Sequence, residues 1–164
     1  VFRMITPSEY LEKYPANQVS LPSESSWGNG GYHEVWLDSS NDWIYRHLHK
    51  AAARMVYLAN RCQNASGVTA RALNQAAREL LLAQASDWAF IMKTGTMVEY
   101  ARRRTQQHLV NFHELYHQII ENCIDEGFLR TMEDRNNISP TLDFRIYAGD
   151  VKRTPLPMVK AESP

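Results

Sequence analysis

The chain has 164 residues, 18 lysines and arginines against 18 aspartates and glutamates, 44% hydrophobic residues and two cysteines. That is enough for one domain with a real core and too little for two of ordinary size. A net charge of zero supplies no cationic field, which argues against nucleic acid or an anionic membrane surface as partner, and no run of about 18 apolar residues is present to cross a bilayer.

Residues 1–7 show no charged start followed by an apolar stretch, so no secretion signal is read there, and a start at Val1 suggests a piece of a longer protein. Cys62 and Cys123 belong to no C-x-x-C pair and read as free thiols of a reducing compartment, which makes a cytoplasmic location the expectation. The N-x-S triplets at Asn64 and Asn137 then carry no weight as glycosylation sites.

Punctuation dominates the first forty residues, with Pro7, Pro15 and Pro22 followed by Gly28, Gly30 and Gly31 among Ser and Trp. This stretch is expected to be irregular, apart from one short helix over 8–14. Ser40, Asn41 and Asp42 offer caps before Ile44, Leu48, Ala51, Ala52, Met55, Val56 and Ala59, which recur at helical spacing and predict a helix over 42–61.

Thr69 is the predicted cap of a second helix running to about residue 84, with a short continuation through Trp88 and Ile91. A third and longest helix is predicted over 96–122. With a step of about 100° per residue, Val98, Ala101, Leu109, Phe112, Leu115, Tyr116, Ile119 and Ile120 share one broad arc. Glu114, Gln118 and Glu121 fall opposite, as a solvated face. A fourth helix is predicted over 125–135.

The remainder, with Pro140, Pro155, Pro157 and Pro164, reads as an extended tail. The fold class is therefore all-α: a bundle of three to four main helices in a single domain spanning 1–164. Within it, 1–40 is an irregular Trp- and Gly-rich segment, 41–136 the bundle and 137–164 the tail.

Four features compete for a chemical role. His113-Glu114-Leu115-Tyr116-His117 fits H-E-x-x-H on a predicted helix, the spacing that lets two imidazoles meet one zinc. No third ligand follows at a recognisable distance, so the two rings are read as hydrogen-bonded histidines at the edge of the core, and no metal or cofactor is implied. His108, inside the apolar arc, reads as a satisfied core histidine. Gly28-Asn29-Gly30-Gly31 lacks the spacing of a nucleotide loop and reads as backbone needing unusual angles.

Arg102-Arg103-Arg104 and the Arg46, His49, Lys50, Arg54 set read as solvated basic faces. Tryptophan in loops is the least ordinary feature, with Trp27 and Trp36 flanking the glycines and Trp88 following Asp87. An indole on such a loop has a flat apolar face that stacks on a sugar ring. Covering about 100 Å² at roughly 25 cal/mol/Å² is worth about 2.5 kcal/mol before association costs.

The blocks Ser25-Ser26-Trp27-Gly28, Trp36-Leu37, Asn41-Asp42-Trp43-Ile44-Tyr45, His47-Leu48-His49, Ser86-Asp87-Trp88, Thr94-Gly95 and Tyr100-Ala101-Arg102, with His108 and Phe112, carry a resemblance. Together they resemble the C-terminal helical domain of 1,4-α-glucan branching enzymes of glycoside hydrolase family 57, from Thr6-Pro7-Ser8-Glu9-Tyr10 to Leu142-Asp143-Phe144-Arg145. The resemblance implies a longer parent whose N-terminal distorted β/α barrel carries a Glu nucleophile and an Asp acid/base. Neither carboxylate matches a position in this chain, so the fragment alone is expected to be inactive.

The implied reaction is retaining transglycosylation of an α-1,4-glucan onto a 6-hydroxyl, giving the α-1,6 branches of glycogen-like polymers, with water as competing acceptor. The resemblance assigns Trp27 as a stacking residue, Trp36 as a second aromatic near the acceptor and Asp87 as an acceptor of sugar hydroxyls. Thr96 stands where the family frequently has a Gln contact. The implied partners are an α-glucan and the barrel of the same chain. Two other readings stand beside this one: a helical protein-interaction module whose loop tryptophans bury against a protein, and an H-E-x-x-H zinc metalloprotease.

Overall fold

Six α-helices and two 3-10 turns follow one another through residues 2–149, which are those described by the computed structural model, and none of the described residues lies in a strand. The all-α expectation holds. The chain divides into two compact units, Val1–His33 and Glu34–Pro164.

In the first unit, Pro7–Lys13 forms α1. Thr6 and Glu9 build a capping box, with the Thr6 N–H donating to Glu9 Oε2 at 2.7 Å and the Glu9 N–H to Thr6 Oγ1 at 3.2 Å, and Pro7 opens the first turn. No residue of α1 is buried. Asn29–Gly31 then makes a tight 3-10 turn in which Gly28, Gly30 and Gly31 have φ of 83°, 74° and 84°. Successive left-handed angles explain the glycine cluster, as only residues without Cβ adopt them at little cost.

The second unit contains the core. Trp43–Arg61 is α2, Gly67–Ala83 α3, Ser86–Thr94 α4, Val98–Ile120 α5 and Glu126–Arg135 α6. α3 is the central element: it packs most extensively on α5 and also touches α2, α6 and a final 3-10 turn over Phe144–Tyr147. Its small residues Ala72, Ala76, Ala77 and Ala83 let neighbouring helices approach closely, and Met55, Leu58, Leu73, Leu80, Phe112, Leu115 and Leu129 fill the space between.

Four expectations need correction. Thr69 is not the cap of α3 but its third residue, the N-cap position being Ser66. Ser40, Asn41 and Asp42 do not cap α2 through their side chains, since no side-chain bond is made at its Asp42 N-cap and the Asn41 amide is turned elsewhere. Gln118 is not on a solvated face but only 8% exposed, because its Oε1 accepts the Asp125 N–H at 3.0 Å and ties the end of α5 to the start of α6. Within the expected tail, the Phe144–Tyr147 turn folds back with Phe144 fully buried.

That turn is held by specific bonds. The Phe144 N–H donates to Asn74 Oδ1 at 2.9 Å, and Arg145 donates to the carbonyls of Gln63 and Ala65, each at 2.8 Å. The prolines at 155, 157 and 164 lie outside the described residues.

Beneath α3 runs a buried polar network. Glu79, fully buried, accepts from His108 Nδ1 at 2.8 Å, Asn111 Nδ2 at 3.1 Å, Gln75 Nε2 at 3.0 Å and Asn136 Nδ2 at 2.8 Å. Burial by itself raises the pKa of this carboxyl, but the hydrogen bonds, led by that from His108, outweigh it and hold Glu79 below the ordinary range. Arg78 extends the network, donating to the carbonyls of Ile138 at 3.0 Å and Pro140 at 3.3 Å.

Candidate functional site

Each residue singled out in the sequence has a defined place. Trp27 lies in the first unit, on the glycine loop, with 68% of its surface exposed. The loop is closed around it by backbone and side-chain bonds: the Ser26 N–H donates to the Gly31 carbonyl at 2.7 Å, and the His33 N–H to Ser26 Oγ at 2.7 Å. An indole raised on a bonded loop needs less ordering on binding than one on a mobile strand of chain.

Trp36, Asp87 and Thr96 belong to the second unit, Trp36 packed against α4, Asp87 in its first turn and Thr96 just beyond its end. Trp36 is half-buried against the core and packs at a tilt against Phe90, with ring centroids 6.2 Å apart and planes at 38°. Asp87 lies in the first turn of α4, three residues before Phe90, which places both on the same face of the helix. It is exposed and sits inside the helix rather than at its N-cap, where its charge complements the helix dipole. Thr96 is exposed in the turn after Gly95, whose φ of 80° ends α4.

Residues outside the sequence assignment hold this arrangement. Asn41, with no exposed surface, donates from Nδ2 to the carbonyls of Val35 at 3.0 Å and Ala89 at 3.1 Å, and its Oδ1 accepts the Asp38 N–H at 2.9 Å. Lys93 Nζ pairs with Asp38 Oδ2 at 2.7 Å. That hydrogen bond, with others from Ser40, lowers the Asp38 pKa to about 2. The Tyr45 hydroxyl donates to the Trp36 carbonyl.

The segment 35–41 is thereby fastened to α4 at Ala89, Phe90 and Lys93, and Trp36 is positioned from both ends. On the opposite side of α4, Trp88 donates from Nε1 to the Leu82 carbonyl at 2.7 Å and packs edge-on to Tyr100. Asn41 reads as a helix cap in a local view of the sequence. Its true partner at Ala89 is 48 residues away, so no local signal reveals the role.

The H-E-x-x-H residues are placed differently. His113 is half-buried and its Nδ1 accepts from an Arg54 guanidinium nitrogen at 3.0 Å, while the same guanidinium lies over the Tyr116 ring. Burial, then the Arg54 and Lys50 charges, push the His113 pKa down to about 4. Glu114 accepts from Gln118 at 2.8 Å and His117 is exposed. A guanidinium bonded to the first imidazole is a poor neighbour for a dication. The reading as a hydrogen-bonded histidine at the edge of the core agrees with this geometry for His113, whereas His117 is exposed; His108, read as satisfied, is a core histidine bonded to Glu79 through Nδ1 whose buried Nε2 has no partner among the described residues.

Comparison with known proteins bears on this arrangement. The family model described as 1,4-alpha-glucan branching enzyme, C-terminal, matches residues 47–147. Over 138 residues the chain is 36% identical to a 1,4-alpha-glucan branching enzyme of Thermococcus kodakarensis, covering 80% of this chain and 20% of that protein. The crystal structure of the GH57 branching enzyme from Thermococcus kodakaraensis, in complex with glucose and additives, superposes with a TM-score of 0.78 at 32% identity, covering 88% of this chain and 27% of that one.

The GH57-type branching enzyme of Pyrococcus horikoshii gives a TM-score of 0.76 at 35% identity over 90% of this chain and 29% of its own. The alpha-amylase AmyC from Thermotoga maritima gives 0.71 at 43% identity over 91% of this chain and 27% of its own. The chain spans about a fifth of the length of its Thermococcus relative. It belongs to the family of C-terminal domains of glycoside hydrolase family 57 1,4-α-glucan branching enzymes.

Proposed function

We propose that this chain is the acceptor-side binding domain of a longer retaining 1,4-α-glucan branching enzyme. In this reading a barrel elsewhere in the parent provides a Glu nucleophile and an Asp acid/base, the Glu displaces an α-1,4 linkage, and the Asp protonates the leaving oxygen. The glycosyl-enzyme is then resolved by the 6-hydroxyl of an acceptor chain, with water as competitor.

An acceptor held beside the intermediate gains effective concentration over water, so the residues that hold it set the balance between branching and hydrolysis. The α4 surface carries this reading: Trp36 packed against Phe90, which is one turn from the exposed carboxylate of Asp87. Ring faces bind the apolar face of glucose and a carboxylate accepts its hydroxyls, which is the usual division of labour in a sugar site. Trp27, on its glycine loop, is a second stacking residue in this reading, and Thr96 a shorter polar contact.

Titration of the chain with maltoheptaose, followed by tryptophan fluorescence, tests the assignment. The expected result is saturable quenching that is reduced in both Trp36→Ala and Asp87→Ala. A flat titration at millimolar sugar, or quenching unchanged in both variants, would overturn α4 as a glucan-binding surface. The name of the Thermotoga maritima relative favours a second reading in which the parent mainly hydrolyses α-glucan. The α4 surface then holds the substrate without favouring transfer.

A further inference from the structure

Arg102-Arg103-Arg104 reads in sequence as a solvated face, yet two of these residues line a cleft. The cleft, about 200 Å³ in volume, lies between α5 and α6, away from α4, and is walled by Arg103, Arg104, Gln107, Asn111, Met132, Arg135 and Asn136. Positions 103, 104, 107 and 111 are one row along α5, and 132, 135 and 136 one row along α6, by the three- and four-residue spacing of a helix face. Three arginines therefore line one small space that no carboxylate lines.

None of the three arginines has an ion-pair partner among the described residues. Arg103 lies over the Tyr100 ring, and the neighbouring Glu133 is already engaged by Arg71 at 2.6 Å. Arg104 Nε is buried with no hydrogen-bond partner, a costly state for a charged donor in a folded protein.

The back of the cleft is braced by hydrogen bonds. Asn111, only 3% exposed, donates from Nδ2 to Glu79 and accepts from Gln107 Nε2 at 2.8 Å through Oδ1. Asn136 likewise donates to Glu79 at 2.8 Å. One amide N–H of each of Asn136 and Gln107 is used in these bonds, and Asn136 Oδ1 and Gln107 Oε1 remain as acceptors. Glu79 itself lies behind this wall with its oxygens taken up by four hydrogen bonds, so it makes no direct ion pair with the arginines that line the cleft.

The geometry points to a binding site for a phosphate monoester of a monosaccharide in the α5–α6 cleft. Guanidinium forks match phosphate oxygens, and three of them supply more donors than a single carboxylate can use. The amide oxygens suit the hydroxyls of an attached sugar, and Met132 provides an apolar floor. Glucose 1-phosphate is the probe of this class whose sugar matches the glucan reading, although the site stands apart from α4 and its test does not depend on glucan binding.

Isothermal titration of the full chain with glucose 1-phosphate, inorganic phosphate and glucose tests the site. The expected order is glucose 1-phosphate tighter than phosphate, with glucose alone giving no heat, and affinity falling as salt rises. Arg104→Gln and Arg135→Gln are each expected to weaken glucose 1-phosphate at least tenfold, the loss of one charge-assisted contact. Arg135 is exposed on α6, so its variant keeps the test valid should Arg104→Gln disturb folding. Absence of heat with both phosphates at millimolar concentration, or binding unaffected by both variants, would overturn the site. Equal affinity for phosphate and glucose 1-phosphate would overturn the sugar half of the assignment.

Discussion

A half-buried imidazole beside a guanidinium gives up its proton more readily than a free one, and His113 shows the consequence. Its folded pKa of about 4 lies below the ordinary 6.5 because burial and the Arg54 and Lys50 charges disfavour the imidazolium. Between those values the unfolded chain holds more protons than the folded one, so this residue makes stability decline as pH falls from 6.5 towards 4 and contributes nothing to the slope above that window. His113→Gln keeps an acceptor for Arg54 and removes the titration. Its melting temperature should therefore depend less on pH than that of the parent chain across this window. Identical profiles for the two proteins would contradict the assignment.

His108 is the contrasting case, a core histidine whose Nδ1 is committed to Glu79. A position inside the apolar arc suggests its burial, but nothing in the local sequence names Glu79, 29 residues earlier, as its partner. Buried polar networks leave no periodic trace, since each member is an exception to the pattern around it.

Among the elements, α4 and the segment before α2 act as one piece. Fully buried Asn41 joins them through its bond to the Ala89 carbonyl and braces the segment through two more, and Asn41→Ala leaves the Val35 and Ala89 carbonyls and the Asp38 N–H unsatisfied. The expected cost is about 1–3 kcal/mol in urea unfolding. The same variant should weaken maltoheptaose quenching, because Trp36 loses one of its two anchors. A variant as stable as the parent chain would show that the segment is held without Asn41, by the Trp36–Phe90, Asp38–Lys93 and Tyr45–Trp36 contacts.

The helices themselves were legible, since apolar spacing places α2 over 42–61 in prediction and Trp43–Arg61 in the structure. Their caps were not. Asn41 serves a distant carbonyl, and Gln118 is buried because a polar side chain at a helix junction satisfies a backbone N–H. The fold-back at Phe144 escaped for a similar reason: one aromatic anchor and an arginine clasp carry no repeat that a sequence window detects.

For the whole molecule, the core between α2, α3 and α5 serves as a scaffold with two differently furnished surfaces, aromatic and acidic at α4 and cationic between α5 and α6. Resemblance to the family drew attention to Trp36, Asp87 and Thr96, while Phe90, Asn41, Asp38 and Lys93, which hold that surface in place, emerge only from tertiary contacts. The central claim is that the α4 surface retains an acceptor glucan for transfer in preference to water. It is tested most directly in the longer enzyme we propose for this chain, by measuring new α-1,6 linkages against reducing ends released from amylose. Trp36→Ala should lower that branching-to-hydrolysis ratio several-fold while total cleavage of α-1,4 linkages continues. A ratio equal to that of the unaltered enzyme would contradict the claim.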